Sequence, residues 1–137
     1  MALICDTGPL LAALDAADQD HSACAQLLHD ADEDLLVPAL VLAELDYWCL
    51  RRLPGVAWLT FLDDVIAGVY RVEPPVAADL VRCRDLQDRY ADLALGVVDA
   101  TIVALAERLS EPKVATLDQR HFRAVRPAHV DALTLLP

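Results

Sequence analysis

Lysine is almost absent from this chain. Lys113 is the only one among 11 basic residues, set against 22 acids, and the net charge is −11. A general nucleic-acid binder shows the opposite balance, so bulk attraction to a polyanion is excluded as the basis of function. Any C-x-x-C pair is also missing. Cys5, Cys24, Cys49 and Cys83 are scattered, which signals neither a zinc site nor a disulfide framework and fits four small core residues. No apolar run approaches the roughly 20 residues that cross a bilayer. The amino terminus lacks the basic region of a signal peptide, and Asp6 arrives after only a few apolar residues. These absences predict a soluble cytoplasmic protein without membrane contact. Neither a repeat nor a low-complexity linker interrupts the 137 residues, a length that suits a single domain over 1–137 with one continuous core.

What is present is 56% hydrophobic content, arranged in short runs. Apolar strands are predicted at 2–5 ("ALIC"), 35–38 ("LLVP"), 68–72 ("GVYRV"), 113–117 ("KVATL") and 132–136 ("ALTLL"). Helical spacing covers 21–31, 39–53, 55–67, 76–91 and 95–110, with Pro38, Pro54 and the pair Pro74-Pro75 as helix-start or turn signals. Strand alternating with helix predicts an α/β fold whose mainly parallel sheet is covered on both faces.

Against that pattern certain acids stand out. In "ALVLAELDYW" (39–48), Glu44 lies among Leu40, Val41, Ala43, Tyr47 and Trp48, at the edge of an apolar helix face. A buried lone charge survives only when paired or bound to a metal. Asp6 ends the first strand and Asp118 the fourth, where sites form in open α/β sheets. Asp99 falls in the first turns of the helix before the fourth strand. The acids of "HDADED" (29–34) and "LDDV" (62–65) read instead as a solvated surface. Four converging carboxylates would repel one another and take up protons unless a cation joined them. Mg²⁺ or Mn²⁺ suits oxygen ligands. Such an ion can activate a water and neutralise the charge that develops on a phosphodiester. The acids attract metal and the metal attracts phosphate, which reconciles an acidic chain with a nucleic-acid substrate.

The stretches "LICDTGPLLAALD", "LVLAEL", "YADLALGVVDATIVALAERL" and "ATLDQRHFRAVRP" closely resemble PIN-domain ribonucleases, especially the VapC-type toxins of type II toxin–antitoxin pairs, over essentially the whole chain. The resemblance implies a PIN-like three-layer α/β/α sandwich with strand order 3-2-1-4-5. It implies a metal-dependent endoribonuclease that cuts tRNA, rRNA or mRNA and so inhibits translation and growth. Asp6, Glu44, Asp99 and Asp118 match the family's acidic quartet, which holds Mg²⁺ or Mn²⁺ and carries catalysis. Thr7 and Thr116 match hydroxyl positions that support the ligands, and Asp92 matches a further frequent acid. A VapB-type antitoxin would lie across the groove, against Leu45, Trp48 and Cys49 on one helix and Trp58, Leu59 and Leu62 on the next, and a second copy would form a homodimer. Leftover apolar positions such as Leu80, Val103 or Leu109 could supply the dimer patch.

Each assignment has a plainer alternative. Asp6 also reads as an Asx-turn residue before Gly8-Pro9, and Asp99 as an acid near the positive end of its helix. Glu44 also reads as a partner for an arginine, Asp118 as the cap of a short helix through "QRHF", and Asp92 as the cap of the following helix. His121 and Phe122 read as local packing. Arg51, Arg52 and Trp48, beyond Glu44 on the same helix, and Arg120 and Arg123 after Asp118 are candidates for RNA contact; a helix end complemented by arginines and a core tryptophan account for the first three equally well. A phosphoacceptor receiver domain has similar length but wants an aspartate after the third strand, where "VYRVEPP" offers only Glu73, and a lysine after the fifth. A catalytically silent PIN-fold module that binds RNA or protein is the remaining alternative.

Overall fold

Four consecutive apolar residues, Ala2–Cys5, form β1, and all four are buried, as befits a strand flanked on both edges and covered on both faces. The computed structural model describes residues 1–137. With β2 (Asp34–Pro38), β3 (Tyr70–Glu73), β4 (Lys113–Ala115) and β5 (Thr134–Leu136), β1 builds a sheet in the order β3-β2-β1-β4-β5. Every pairing is parallel. This is the order and architecture that the resemblance implied.

Seven helices connect the strands: α1 (Thr7–Leu14), α2 (His21–Asp30), α3 (Ala39–Arg52), α4 (Val56–Ile66), α5 (Ala77–Arg89), α6 (Val97–Leu109) and α7 (Gln119–Ala124). From β1 the chain winds outward through β2 to β3, then returns to lay β4 on the other side of β1. Right-handed crossovers therefore assign α1 to α4 to one face and α5 to α7 to the other. The packing of α1 on α2 and α3, of α3 on α4, and of α5 and α7 on α6 agrees. Between β1 and β4 the winding direction reverses, and such a switch point opens a crevice at the carboxyl ends of the strands.

The innermost helix is α6, in which every residue from Ala100 to Ala106 is buried. Its one polar residue in that run, Thr101, is satisfied by the Cys83 thiol of α5 at 3.4 Å. Where α6 emerges, charges lock it to α5. Asp79, only 3% exposed, accepts from the Val76 amide at 2.9 Å, closing the first turn of α5, and from Arg108 Nε at 3.0 Å. Arg108 also reaches Glu73 at 3.1 Å. One turn along, Arg82 grips both oxygens of Glu107 at 2.8 and 2.9 Å.

Several expectations need correction. α1 falls where only a turn was read before Gly8-Pro9. Pro9 is its third residue, inside the first turn, where a missing N–H leaves no intrahelical bond unmade. The third strand starts at Tyr70 rather than at 68, because Gly68 adopts φ +86° and closes the turn after α4. The buried face of α3 is Val41, Leu45 and Cys49, whereas Tyr47 is exposed. Leu45 and Cys49 are thus core residues and closed to a partner segment. Of the proposed dimer positions, Val103 is fully buried and Leu109 packs on the core, which leaves Leu80 exposed. No helix is long and apolar enough to cross a membrane.

The Asp79 arrangement yields a direct expectation. Asp79→Ala strips the Val76 amide and the Arg108 guanidinium of the buried acceptor they share and should cost about 2–3 kcal/mol in urea unfolding. Asp85→Ala removes an exposed partner of Arg82 and should cost less than about 1 kcal/mol. Equal losses would mean that Asp79 has no special role in joining α5 to α6.

Candidate metal centre

Asp6 is the first residue past β1 and the N-cap of α1. Its backbone amide continues the β1–β4 ladder to Ala115 O at 2.9 Å, and its carboxylate accepts from the Thr7 amide at 2.8 Å and the Thr116 hydroxyl at 2.8 Å. The Thr116 hydroxyl in turn accepts from the Asp118 amide at 3.1 Å. One threonine thus sets both the first acid and the turn that carries the fourth.

The other acids come from α3 and from the starts of α6 and α7, around the same crevice. Glu44 projects from the middle of α3 and makes no hydrogen bond or ion pair. Asp99 is the third residue of α6, whose N-cap, Gly96, offers no side chain, and its carboxylate leaves the amides of its own helix unengaged. Asp118 is the N-cap of α7 yet makes no capping hydrogen bond, and its side chain is 55% exposed. Asp6, Glu44, Asp99 and Asp118 together line one cleft of about 530 Å³, with Thr7, Gly8, Leu11, Trp48, Arg52 and Leu117. The plainer readings as caps or arginine partners therefore fail for Glu44 and Asp118. Asp92 stands apart, exposed in a 3₁₀ turn at Ala91–Leu93 and not among the residues lining the cleft. A hollow of about 580 Å³ at the amino ends of β2 and β3 gathers mostly apolar residues, and one of its acids, Glu33, is already paired with Lys113.

His121, read from sequence as packing, belongs to the cluster. Its Nδ1 lies 2.9 Å from Asp99 Oδ2 and 3.4 Å from Asp118 Oδ2, and the three residues offer ligand atoms all within 4.8 Å of one another. With the proton on Nδ1 the ring donates to Asp99; with the proton on Nε2 the free lone pair joins the carboxylates as a cation ligand. The available signal was the i, i+3 spacing of Asp118 and His121, which sets both on one side of a short helix.

Electrostatics express the crowding. Burial pushes the Asp6 carboxyl up to about 6, against the two threonine-region hydrogen bonds that favour its charge, and Asp99 and Glu44 push the same way. Asp99 is also raised, by burial first and by Asp118 and Glu44, while His121 opposes the shift. The Thr7 hydroxyl, buried against the cleft, has no partner within the protein. An orphaned hydroxyl, an unpaired glutamate and carboxylates raised by burial and one another all fit a hard divalent cation with its waters.

The PIN domain family profile matches residues 3–127. Ribonuclease VapC26 of Mycobacterium tuberculosis is 35% identical over 135 residues, spanning 98% of this chain and 100% of the relative. Among solved structures, M. tuberculosis VapC20, a Sarcin-Ricin loop cleaving toxin, superposes with a TM-score of 0.82 at 21% identity, over 94% of this chain and 98% of that one. VapBC2 from Rickettsia felis, bound to a promoter DNA fragment, gives 0.71 at 16% identity over 100% of both chains. FitAcB from Neisseria gonorrhoeae gives 0.71 at 18%, over 100% and 97%.

The raised Asp6 carboxyl sets a pH dependence in the absence of metal. Because its folded value of about 6 lies above the ordinary 3.8, the folded chain binds the proton more tightly than the unfolded one. This group's cost is absent below about pH 4, grows as pH rises to about 6, and reaches about 3 kcal/mol at neutral pH. In chelator, Asp6→Asn should therefore raise the melting temperature at neutral pH and lose that advantage near pH 4. Added Mn²⁺ should stabilise the unaltered chain and not the variant. An Asn variant that melts lower at neutral pH would show that the two hydrogen bonds outweigh the burial of charge.

Proposed function

Since the chain belongs to the PIN-domain family, we propose that it is an Mg²⁺- or Mn²⁺-dependent endoribonuclease, hydrolysing phosphodiester bonds in RNA as the toxin of a VapBC-type pair. The observation that carries this is the convergence of Asp6, Glu44, Asp99 and Asp118 on one cleft, in a chain 35% identical end to end to a ribonuclease. The reading takes residues 1–137 as one PIN domain, supported by a single sheet that runs from Ala2 to Leu136, and an RNA substrate puts its action in the cytoplasm.

In this reading Asp6 and Asp99 are the principal metal ligands. Glu44 and Asp118 complete the set, and His121 stands by as a nitrogen donor or as the group that orients Asp99. The bound ion supplies Lewis-acid neutralisation of the phosphodiester and activation of water. Thr116 fixes the Asp6 carboxylate, and the Thr7 hydroxyl offers a donor or acceptor to a water in the cleft. Gly8 lets the Leu117 side chain pack closely against α1 in the cleft wall, since a Cβ there would stand 3.3 Å from that side chain.

The partner proposed is a VapB-type antitoxin, supported by the relative's VapC kinship and by fold neighbours solved as toxin–antitoxin complexes. Tyr47, Leu50, Val56 and Leu59 are exposed on α3 and α4, and Trp48 of α3 lines the cleft itself; these apolar groups are available to such a partner. An arginine from that partner suits the four acids. A homodimer is proposed through the exposed Val76, Leu80 and Val81 of α5 and its approach. Sedimentation should give twice the chain mass at micromolar concentration, and a monomer there would refute it.

Asp99→Asn should lower cleavage of total bacterial RNA about a hundredfold or more, the loss of a few kcal/mol of transition-state stabilisation, without lowering the melting temperature. Chelator should abolish cleavage, and Mn²⁺ should restore it to the unaltered chain only. Undiminished cleavage by the variant, or in excess chelator, would sink the mechanism. RNA binding without any cleavage in Mg²⁺ or Mn²⁺ would favour the silent module.

A further inference from the structure

We propose that Trp48 and Arg52 form a clamp for single-stranded RNA at the mouth of the acidic cleft, with Arg52 taking a phosphate and Trp48 the face of a base. The proposal rests on the ribonuclease reading above.

Glu44, Trp48 and Arg52 follow one another at i, i+4 steps along α3, so they form a single ridge about 12 Å long. All three line the cleft, and Arg52 is the only basic residue that does. Four carboxylates surround that cleft, yet Arg52 pairs with none of them and bonds no backbone carbonyl. Its guanidinium lies instead over the Trp48 ring, 4.4 Å from the centroid.

The neighbouring arginine shows the contrast. Arg51 lies over Tyr47 at 3.4 Å and donates to the Tyr47 carbonyl at 3.3 Å, so its guanidinium is folded back on its own helix and is not among the groups lining the cleft. The bond to its own helix accounts for Arg51 and leaves Arg52 unexplained. Elsewhere Arg82, Arg108 and Lys113 are engaged in ion pairs. The Tyr47 ring meets Trp48 edge-on at 5.0 Å and limits how the indole turns.

A strand of RNA approaching the cleft meets like charge from four acids. Arg52 is the group positioned to offset it, and stacking holds its planar fork of N–H donors ready for phosphate oxygens. The indole, partly buried, adds a fixed apolar plane on which an unstacked base can lie. Glu44 lies one turn beyond, so a nucleotide held on this ridge has its chain directed into the acids.

The test titrates a labelled random-sequence RNA of about 16 nucleotides into the chain bearing Asp99→Asn. It also measures initial rates on total bacterial RNA with otherwise unaltered chains. Arg52→Ala should weaken binding about tenfold and reduce the salt-dependence slope by about 0.7. Arg52→Lys should keep the slope but lose several-fold in affinity. Trp48→Ala should weaken binding about tenfold with the slope unchanged, and Trp48→Phe should recover most of it. In cleavage both alanine variants should raise KM with kcat and Mn²⁺ affinity largely kept; Arg52→Ala should leave the melting temperature in place, whereas Trp48→Ala, which uncovers core, should lower it and Trp48→Phe restore most of it. Arg51→Ala should bind RNA within about twofold of the unaltered chain.

If the unaltered chain cleaves RNA while both alanine variants bind with its affinity and slope, the clamp is refuted and the ribonuclease reading stands. If the unaltered chain neither binds nor cleaves RNA, both fall. If the variants keep their RNA affinity and lose only antitoxin binding, the ridge serves a protein partner and the clamp is refuted.

Discussion

The hydrogen bond from Thr116 to Asp6 joins β4 to β1 at the end of the sheet where the winding reverses. It fixes a carboxylate that burial would otherwise drive toward its neutral form, and through the Asp118 amide it also sets the turn leading into α7. Everything else in the cleft is arranged around that fixed oxygen. α3 brings Glu44 over it from one face of the sheet, α6 brings Asp99 from the other, and α7 returns His121 to meet Asp99. The core supplies the rigidity, since β1 is buried along its whole length and α6 is enclosed through nearly two turns.

Charge is distributed with the same economy. The chain carries 22 acids, and four outside the cleft are matched across elements: Asp79 and Glu73 by Arg108, Glu107 by Arg82, Glu33 by Lys113. Inside the cleft no arginine or lysine performs that service, and the one arginine present lies against an indole. Four carboxylates without an arginine or lysine partner thus share one cleft, which is where a doubly charged ion gains most and where, on the proposed reading, a phosphodiester can follow it.

The sequence was most legible where chemistry is local. Strand β1 and the starts of α2 and α3 fall where apolar periodicity and Pro38 put them, and the four acids stood out because each interrupts an apolar run or ends a strand. What periodicity could not supply were features of other kinds. In α1, "TGPLLAAL" is apolar on nearly every side, so no stripe marks a helix, and Gly8-Pro9 imitates a turn. His121 faces Asp99 from 22 positions away and Arg108 meets Asp79 from 29, and only the folded sheet brings those pairs together. Likewise, that Val103 is interior while Leu80 is exposed depends on α6 being covered all round, which an apolar pattern alone does not reveal.

The central position of β1 also bears on the order in which the chain becomes competent. β1 is made first, but its inner edge remains open until Val114 and Ala115 arrive to pair with Ile4 and Cys5. Contacts of such sequence separation form late, after the entropy of closing the intervening loop has been overcome. A chain emerging from the ribosome thus carries Asp6 and Glu44 early, while the partner that steadies Asp6 comes from the last fifth of the polypeptide. Truncated or half-made chains hold some of the acids but no assembled cleft, so on the proposed reading hydrolytic capacity would arise only when synthesis is nearly complete.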